Sequence, residues 1–315
     1  KPLIMGLCAN KRRCMHIVST LKAKDRRLGY ILIAPTLIIL FLVVVYPLLY
    51  SFYISFHNMN VAIPWKGKIF VGFDNYINVT QDISWWKAIL RTFYFVIADI
   101  LVGIILGLMI ALLLNKKLIM KSLIFAIVLF PYVLPPIVNA LMWKLIYDSN
   151  YGLLNGMLYQ FGFINDYIAW LSKTNLAIIM LIIANLWQGT PFAVILFLSG
   201  LKSIPLELYE AARIDGSSSW QSFRYITLPL LKPIIYILVV MKTILTFKIF
   251  DLIYALTGGG PANTTQVVSM KIYNESFNFL KFGRASAMSY ILLGVVTCFV
   301  IIYMKLFEEK KETEN

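Results

Sequence analysis

Histidine and cysteine are scarce in this sequence. His16 and His57 are the only histidines and Cys8, Cys14 and Cys298 the only cysteines among 315 residues. Cys8 and Cys14 sit in a basic tail with only His16 nearby, and Cys298 lies in an apolar run. Neither a disulfide framework nor zinc-ligand spacing can be built from such a set. The chain also lacks an HExxH pattern, a Ser/His/Asp arrangement and a G-x-x-x-x-G-K-[ST] phosphate loop. Hydrolytic chemistry of its own is therefore not expected, and the chain reads as a non-enzyme without a cofactor. Charge is the third shortage: Asp, Glu, Lys and Arg make up 14% of the residues, against about 25% in soluble proteins.

What replaces them is apolar. Hydrophobic residues reach 60%, more than a water-exposed surface can accommodate, so lipid is the expected solvent. A membrane-spanning helix needs about 20 mostly apolar residues, and six runs qualify: 28–56, 92–114, 122–143, 174–201, 233–255 and 285–304. The second holds only Asp99, and the fifth holds Lys242, Lys248 and Asp251. The first run is too long for the core of a signal peptide and lacks a small-residue cleavage site, so it is expected to be an uncleaved span. These features predict an all-α membrane protein of six spans. A basic N-terminal segment (1–27) precedes the membrane domain (28–307), and a short tail (308–315) follows it.

The formal charge of +14 sits between the apolar runs rather than in a patch suited to nucleic acid, so no nucleic-acid partner is expected. Eighteen Lys and Arg fall in the N-terminal tail, residues 116–121, residues 202–232 and the C-terminal tail. The alternate segments carry fewer, among them Lys66, Lys68, Lys87, Lys271 and Lys281. The positive-inside rule then places the first set, and both termini, in the cytoplasm.

Inside the runs, Pro35, Pro47, Pro131, Pro135, Pro136, Gly189 and Pro191 mark kinks or breaks, which often line a pathway but also occur as ordinary kinks. Polar groups in spans are costly and point to function. Tyr132 and Asn139 are two turns apart on the third run. Asn185, Gln188 and Phe192 follow i, i+3, i+7 spacing on the fourth, and Lys242, Thr246 and Ile249 follow i, i+4, i+7 on the fifth. Each could equally bond a neighbouring helix or another subunit. Lys248 and Asp251, three apart, can pair with each other. An unpaired buried ammonium costs several kcal/mol, so Lys242 must meet water, a carboxylate or a solute.

Residues 202–232 predict two short helices and a turn. Ser203 can cap, Pro205 suits a first turn, and Glu207 and Glu210 favour the positive end of a helix. Gly216 permits the left-handed backbone that stops it. Ser217 or Ser218 can start a second helix through Tyr225, ended by Pro229. Such an element is either an amphipathic connector on the bilayer or a rigid knob that transmits force.

Glu210-Ala211-Ala212, three residues, Gly216, nine residues, then Ile226-x-Leu228-Pro229 resembles the EAA signature of ABC-importer permeases. The resemblance extends through FVGFDNY (70–76), NYGLLN (150–155), WQGTPF (187–192) and FDLIYALTGGGPANTT (250–265). The last is similar to the first permease subunit of maltose- and trehalose-type systems, in its shorter six-span form. What the resemblance implies is a type I importer permease fold in a bacterial or archaeal cytoplasmic membrane. Its expected partners are a second homologous permease, two ATP-binding subunits that use ATP and magnesium, and an extracytoplasmic solute-binding protein. The loop carrying Glu210, Ala211, Ala212, Asp215, Gly216, Ile226, Leu228 and Pro229 would dock on the ATP-binding subunit. Tyr132, Gln188, Phe192, Lys242, Thr246 and Ile249 fall where the maltose-type permease contacts sugar, with Asn139 beside them. The expected solute is a sugar or oligosaccharide. Lys242 keeps open an anionic saccharide or a phosphorylated solute. A secondary transporter is the alternative class, but no internal repeat supports it.

Overall fold

A computed structural model of the protein describes residues 28–116 and 118–312; the basic segment 1–27 lies outside them. Among the described residues, five helices are long and apolar enough to cross a membrane: Leu28–Ser55, Ile83–Asn115, Thr174–Ser203, Ser219–Phe247 and Phe282–Lys305. They are the first, second, fourth, fifth and sixth spans. The third is not one helix. Lys121–Val133 and Pro136–Ile146 meet at a bend of 100° and make a sixth span only when taken together. Pro135 and Pro136 cause the break. Neither can donate a backbone hydrogen bond, and each pushes the residue before it out of the helical region. Leu134 is accordingly extended, at φ −67° and ψ 134°.

Two other prolines are absorbed without a break, in the same way each time. A π-helical turn at Phe41–Val45 precedes Pro47 in the first span, and another at Phe223–Thr227 precedes Pro229 in the fifth. A widened turn accommodates the missing N–H and the ring of the proline that follows it. The expectation that Pro229 ends a helix is thereby corrected: the helix runs on from Ser219 to Phe247. It stops there, earlier than the apolar run suggested, and a short helix, Asp251–Leu256, begins after a three-residue break.

Small polar networks fix the connections. A hairpin pairs His57–Met59 with Lys68–Phe70. In the FVGFDNY segment, Asn75 donates to the carbonyls of Ser55 and His57 at 2.8 and 3.0 Å, fastening the helix Asp74–Thr80 to the end of the first span. Asn155 of NYGLLN is fully buried. It donates to Asp148 and Ile168 and accepts from Ile168 N–H and the Trp170 indole.

The core lies between the second, fourth and fifth spans, where Ala111, Phe197, Leu231 and Leu238 are buried together. A second cluster joins the fourth span to Pro136–Ile146 and Asp251–Leu256. The first span stands apart from this core. No residue in its apolar window is buried. It is held at its last turns, where Tyr290 donates to the Leu48 carbonyl at 2.6 Å and Ser51 to Ser286 at 3.2 Å.

Candidate functional site

The break in the third segment opens the middle of the bundle. A cavity of about 490 Å³ lies between Tyr132 and Leu134, the fourth span, and the end of the fifth. Six of the seven residues expected on a solute pathway line it: Tyr132, Gln188, Phe192, Lys242, Thr246 and Ile249. Tyr132 is 47% exposed, and its ring stacks on Phe192 with centroids 5.9 Å apart. Asn139, the seventh, is behind the wall and fully buried. The helical face it was expected to share with Tyr132 does not exist, because the 100° bend separates them.

Asn139 instead braces the break. It donates to the Gln188 side-chain oxygen at 2.9 Å, and the Gln188 amide donates to the Leu134 carbonyl at 2.9 Å. A helix broken at Leu134 leaves that carbonyl without its usual intrahelical donor, and Gln188 replaces it. The two amides of the third and fourth segments thus hold the cavity open.

Lys242 finds its partner within the chain, on the second span. Its ammonium is 2.6 Å from Asp99 Oδ1, with side-chain exposures of 2% and 7%. Thr246 donates to Asp99 Oδ2 at 2.8 Å, so each carboxylate oxygen has a partner. The Gly189 carbonyl accepts a longer bond from Lys242 at 3.4 Å. Asp99 opens a π-helical turn, Asp99–Gly103, in the second span. A Cβ on Gly103 would sit 2.8 Å from Asp99 Oδ1 and 3.1 Å from Lys242 Nζ, so the glycine makes room for the pair. Lys248 and Asp251 form no ion pair with each other. The helix ends between them, which removes the i, i+3 proximity that pairing required. Asp99 was not among the expected pathway residues. The signal for it was available: a carboxylate and an ammonium, each inside an apolar run, are far less costly buried together than apart.

At one end of the bundle stands the knob. Leu206–Ile214 ends in two bonds that satisfy its last carbonyls: Ser217 N–H to Ala212 at 2.8 Å and Gly216 N–H to Arg213 at 3.1 Å. That closure places Gly216 at φ +77°, where a side chain is strained. Ser218 then caps the fifth span, and Gln221 reciprocates at the Ser218 N–H. Ser203 does not cap the knob, since its hydroxyl turns back to the Gly200 carbonyl. Tyr209 hydrogen-bonds Thr227 at 2.8 Å, joining the knob to the base of the fifth span. Glu210, Ala211, Asp215 and Gly216 are exposed, while Ala212, Ile226, Leu228 and Pro229 are half-buried. Leu206 at 70%, Ile214 at 86%, Trp220 at 69% and Tyr225 at 74% exposure leave an apolar patch beside them.

A third polar cluster ties the second span to the sixth. Arg284 contacts Asp82 at 2.8 Å and Glu275 at 3.2 Å, and Lys271 lies 3.3 Å from Asp82. Burial raises the Asp82 pKa, but Ser84 hydrogen bonds and the Lys271 charge outweigh it and bring the carboxyl down to about 2.

A bundle of apolar spans around a polar cavity, with a rigid exposed knob at one end, is the build of a membrane permease. Residues 103–311 match the family described as binding-protein-dependent transport system inner membrane component. The chain belongs to that family, and is a multi-pass permease subunit of such an importer. It is 38% identical to the trehalose/maltose transport system permease protein MalF of Thermococcus litoralis, over 92% of this chain and 97% of that one. It is 33% identical to the trehalose transport system permease protein SugA of Mycobacterium tuberculosis, over 90% and 89%. Among solved structures, a bacterial ABC transporter for the acidic polysaccharide alginate shares the fold. The TM-score is 0.79 at 23% identity, covering 91% of this chain and 97% of that one.

Proposed function

We propose that this permease passes a neutral sugar or short oligosaccharide through the cavity bounded by Tyr132, Gln188, Phe192, Thr246 and Ile249. The observation that carries this reading is the cavity's chemistry. A stacked aromatic pair offers flat apolar faces, and hydrogen-bonding side chains stand across from it. Sugar rings present apolar faces and hydroxyl rims, which match the two in turn. The trehalose and maltose relatives support the same solute class.

The remaining partners follow from exposed surfaces. ATP-binding subunits, which supply ATP and magnesium chemistry, dock on the knob at Glu210 to Gly216 and the apolar patch around Ile214 and Trp220. A second, homologous permease covers the unburied first span and closes the cavity from its open side. A solute-binding protein delivers the sugar, as a periplasmic protein accompanies the alginate transporter. The segment 202–232 that carries the knob, with its four Lys and Arg, and both termini face the cytoplasm. Closure of the ATP-binding subunits moves the knob, and the Tyr209–Thr227 bond carries that motion into the fifth span and its cavity residues.

The test is to purify the native complex and measure which solute, presented on its binding protein, stimulates ATP hydrolysis. Stimulation by a neutral sugar and co-purification of one distinct second permease are expected. Two copies of this chain with no second permease, or stimulation confined to a non-saccharide, would contradict the reading.

A further inference from the structure

We propose that Asp99 is a specificity-determining residue: by holding Lys242 it gives the cavity wall no net charge, and so favours neutral over anionic saccharides. The inference rests on the saccharide reading above and adds to it the residue that sets the charge preference. Three observations carry it. Asp99 and Lys242 both line the cavity rather than the lipid-facing surface. Their contact is direct, at 2.6 Å, and almost fully buried. The surrounding backbone is also shaped to hold the pair, with a π-helical turn presenting Asp99 and Gly103 leaving space beside both charges.

The consequences follow from electrostatics. With Asp99 in place, an entering carboxylate meets an ammonium already engaged by one carboxylate, and must also approach that carboxylate. Without it, the same ammonium is a free cation in a partly desolvated wall and attracts an anion. Lys248 and Asp251 also line the cavity, one charge of each sign, so they leave the balance unchanged. Thr246 donates to Asp99 Oδ2, so loss of the carboxylate also frees that hydroxyl for a solute.

The experiment reads charge preference without the binding protein, whose own selectivity would mask it. The complete complex carries Ile249→Cys as its one cysteine and is held in nanodiscs with ATP and vanadate. Protection of that thiol is measured with a neutral oligosaccharide and with a uronate oligosaccharide of equal length. The parental complex is expected to be protected at lower concentrations of the neutral sugar. Asp99→Asn is expected to shift the ratio of half-protecting concentrations at least tenfold toward the uronate. Lys242→Met, which leaves the carboxylate alone, is expected to shift it the other way, and provides the test if Asp99→Asn does not assemble. A merely structural ion pair would weaken protection by both sugars alike. Ratios within twofold of the parent in the assembled variants, with protection retained, would overturn the role of Asp99 and leave the saccharide reading standing. Protection by neither sugar in the parental complex would overturn both.

Discussion

The knob and the cavity are built by opposite means. Every bond that shapes the knob joins residues close in sequence. Ser217 reaches back to Ala212, Gln221 pairs with Ser218, and Tyr209 meets Thr227 eighteen positions on. The cavity is made by bonds between distant segments: Lys242 to Asp99 across 143 residues, Thr246 to Asp99 across 147, and Asn139 to Gln188 across 49. The knob also leaves its apolar side chains uncovered, whereas the cavity's buried charges, Asp99 and Lys242, satisfy each other inside the chain. An exposed surface held by local bonds and a cavity held by long-range bonds are therefore expected to fail differently when mutated.

The contrast is sharpest at Asp99. Asp99→Ala strands a buried ammonium, and breaking a buried pair costs about 3–5 kcal/mol. We expect a large drop in the melting temperature of the purified complex, with much of it recovered in Asp99→Ala/Lys242→Met. No recovery in the double variant would show that the pair is not the cause. Next comes Gln188→Leu, which leaves the Leu134 carbonyl and the Asn139 amide without their partner. An unsatisfied buried polar group costs about 1–3 kcal/mol, and the expected result is a less stable complex whose ATP-binding subunits still dock. Gly216→Val costs about 1–2 kcal/mol, since a side chain is strained at φ +77° while open space surrounds it. Its effect on melting should be modest and its effect on transport severe, the reverse of Gln188→Leu. Normal uptake in Gly216→Val would remove the knob from the mechanism.

The smallest effect concerns pH. Asp82 titrates near 2, below its ordinary 3.8, in the cluster with Lys271, Arg284 and Glu275. A depressed carboxyl contributes stability above its unfolded pKa and loses it as pH falls through the folded value. Between 3.8 and about 2 the parental protein should lose more stability than Asp82→Asn does. Parallel melting curves for the two proteins across that window would contradict the pairing.

How much of this was legible follows the same division. Gly216, Ser218 and the two-helix form of residues 202–232 were readable, because caps and left-handed turns are local chemistry. The end of that segment was not: Pro229 was expected to stop a helix, and a π-helical turn just before it lets the helix continue. Five spans were readable from length and hydropathy, but the third run conceals a 100° break, since apolar composition does not report direction. Six of the seven residues expected on a pathway line one cavity, but the bonds among them were not legible. Tyr132 and Asn139 looked like neighbours on one face and are separated by the break. Lys242 looked like a group awaiting a solute or another subunit, and its partner lies on the second span. Long-range pairing is set by how helices cross, which no spacing within one helix encodes.

The central claim is that the knob and the cavity act as one device. Its most direct test places a single cysteine at Ile249, with Cys8, Cys14 and Cys298 replaced by serine, in the complete complex in sealed proteoliposomes. The rate of labelling by a membrane-impermeant thiol reagent, added on the side where the binding protein acts, is then followed with and without ATP and vanadate. The account predicts that trapping the nucleotide raises the labelling rate at least tenfold, and that Gly216→Val abolishes the rise while leaving the complex assembled. An Ile249→Cys labelling rate indifferent to nucleotide, or a rise that survives Gly216→Val unchanged, would contradict it.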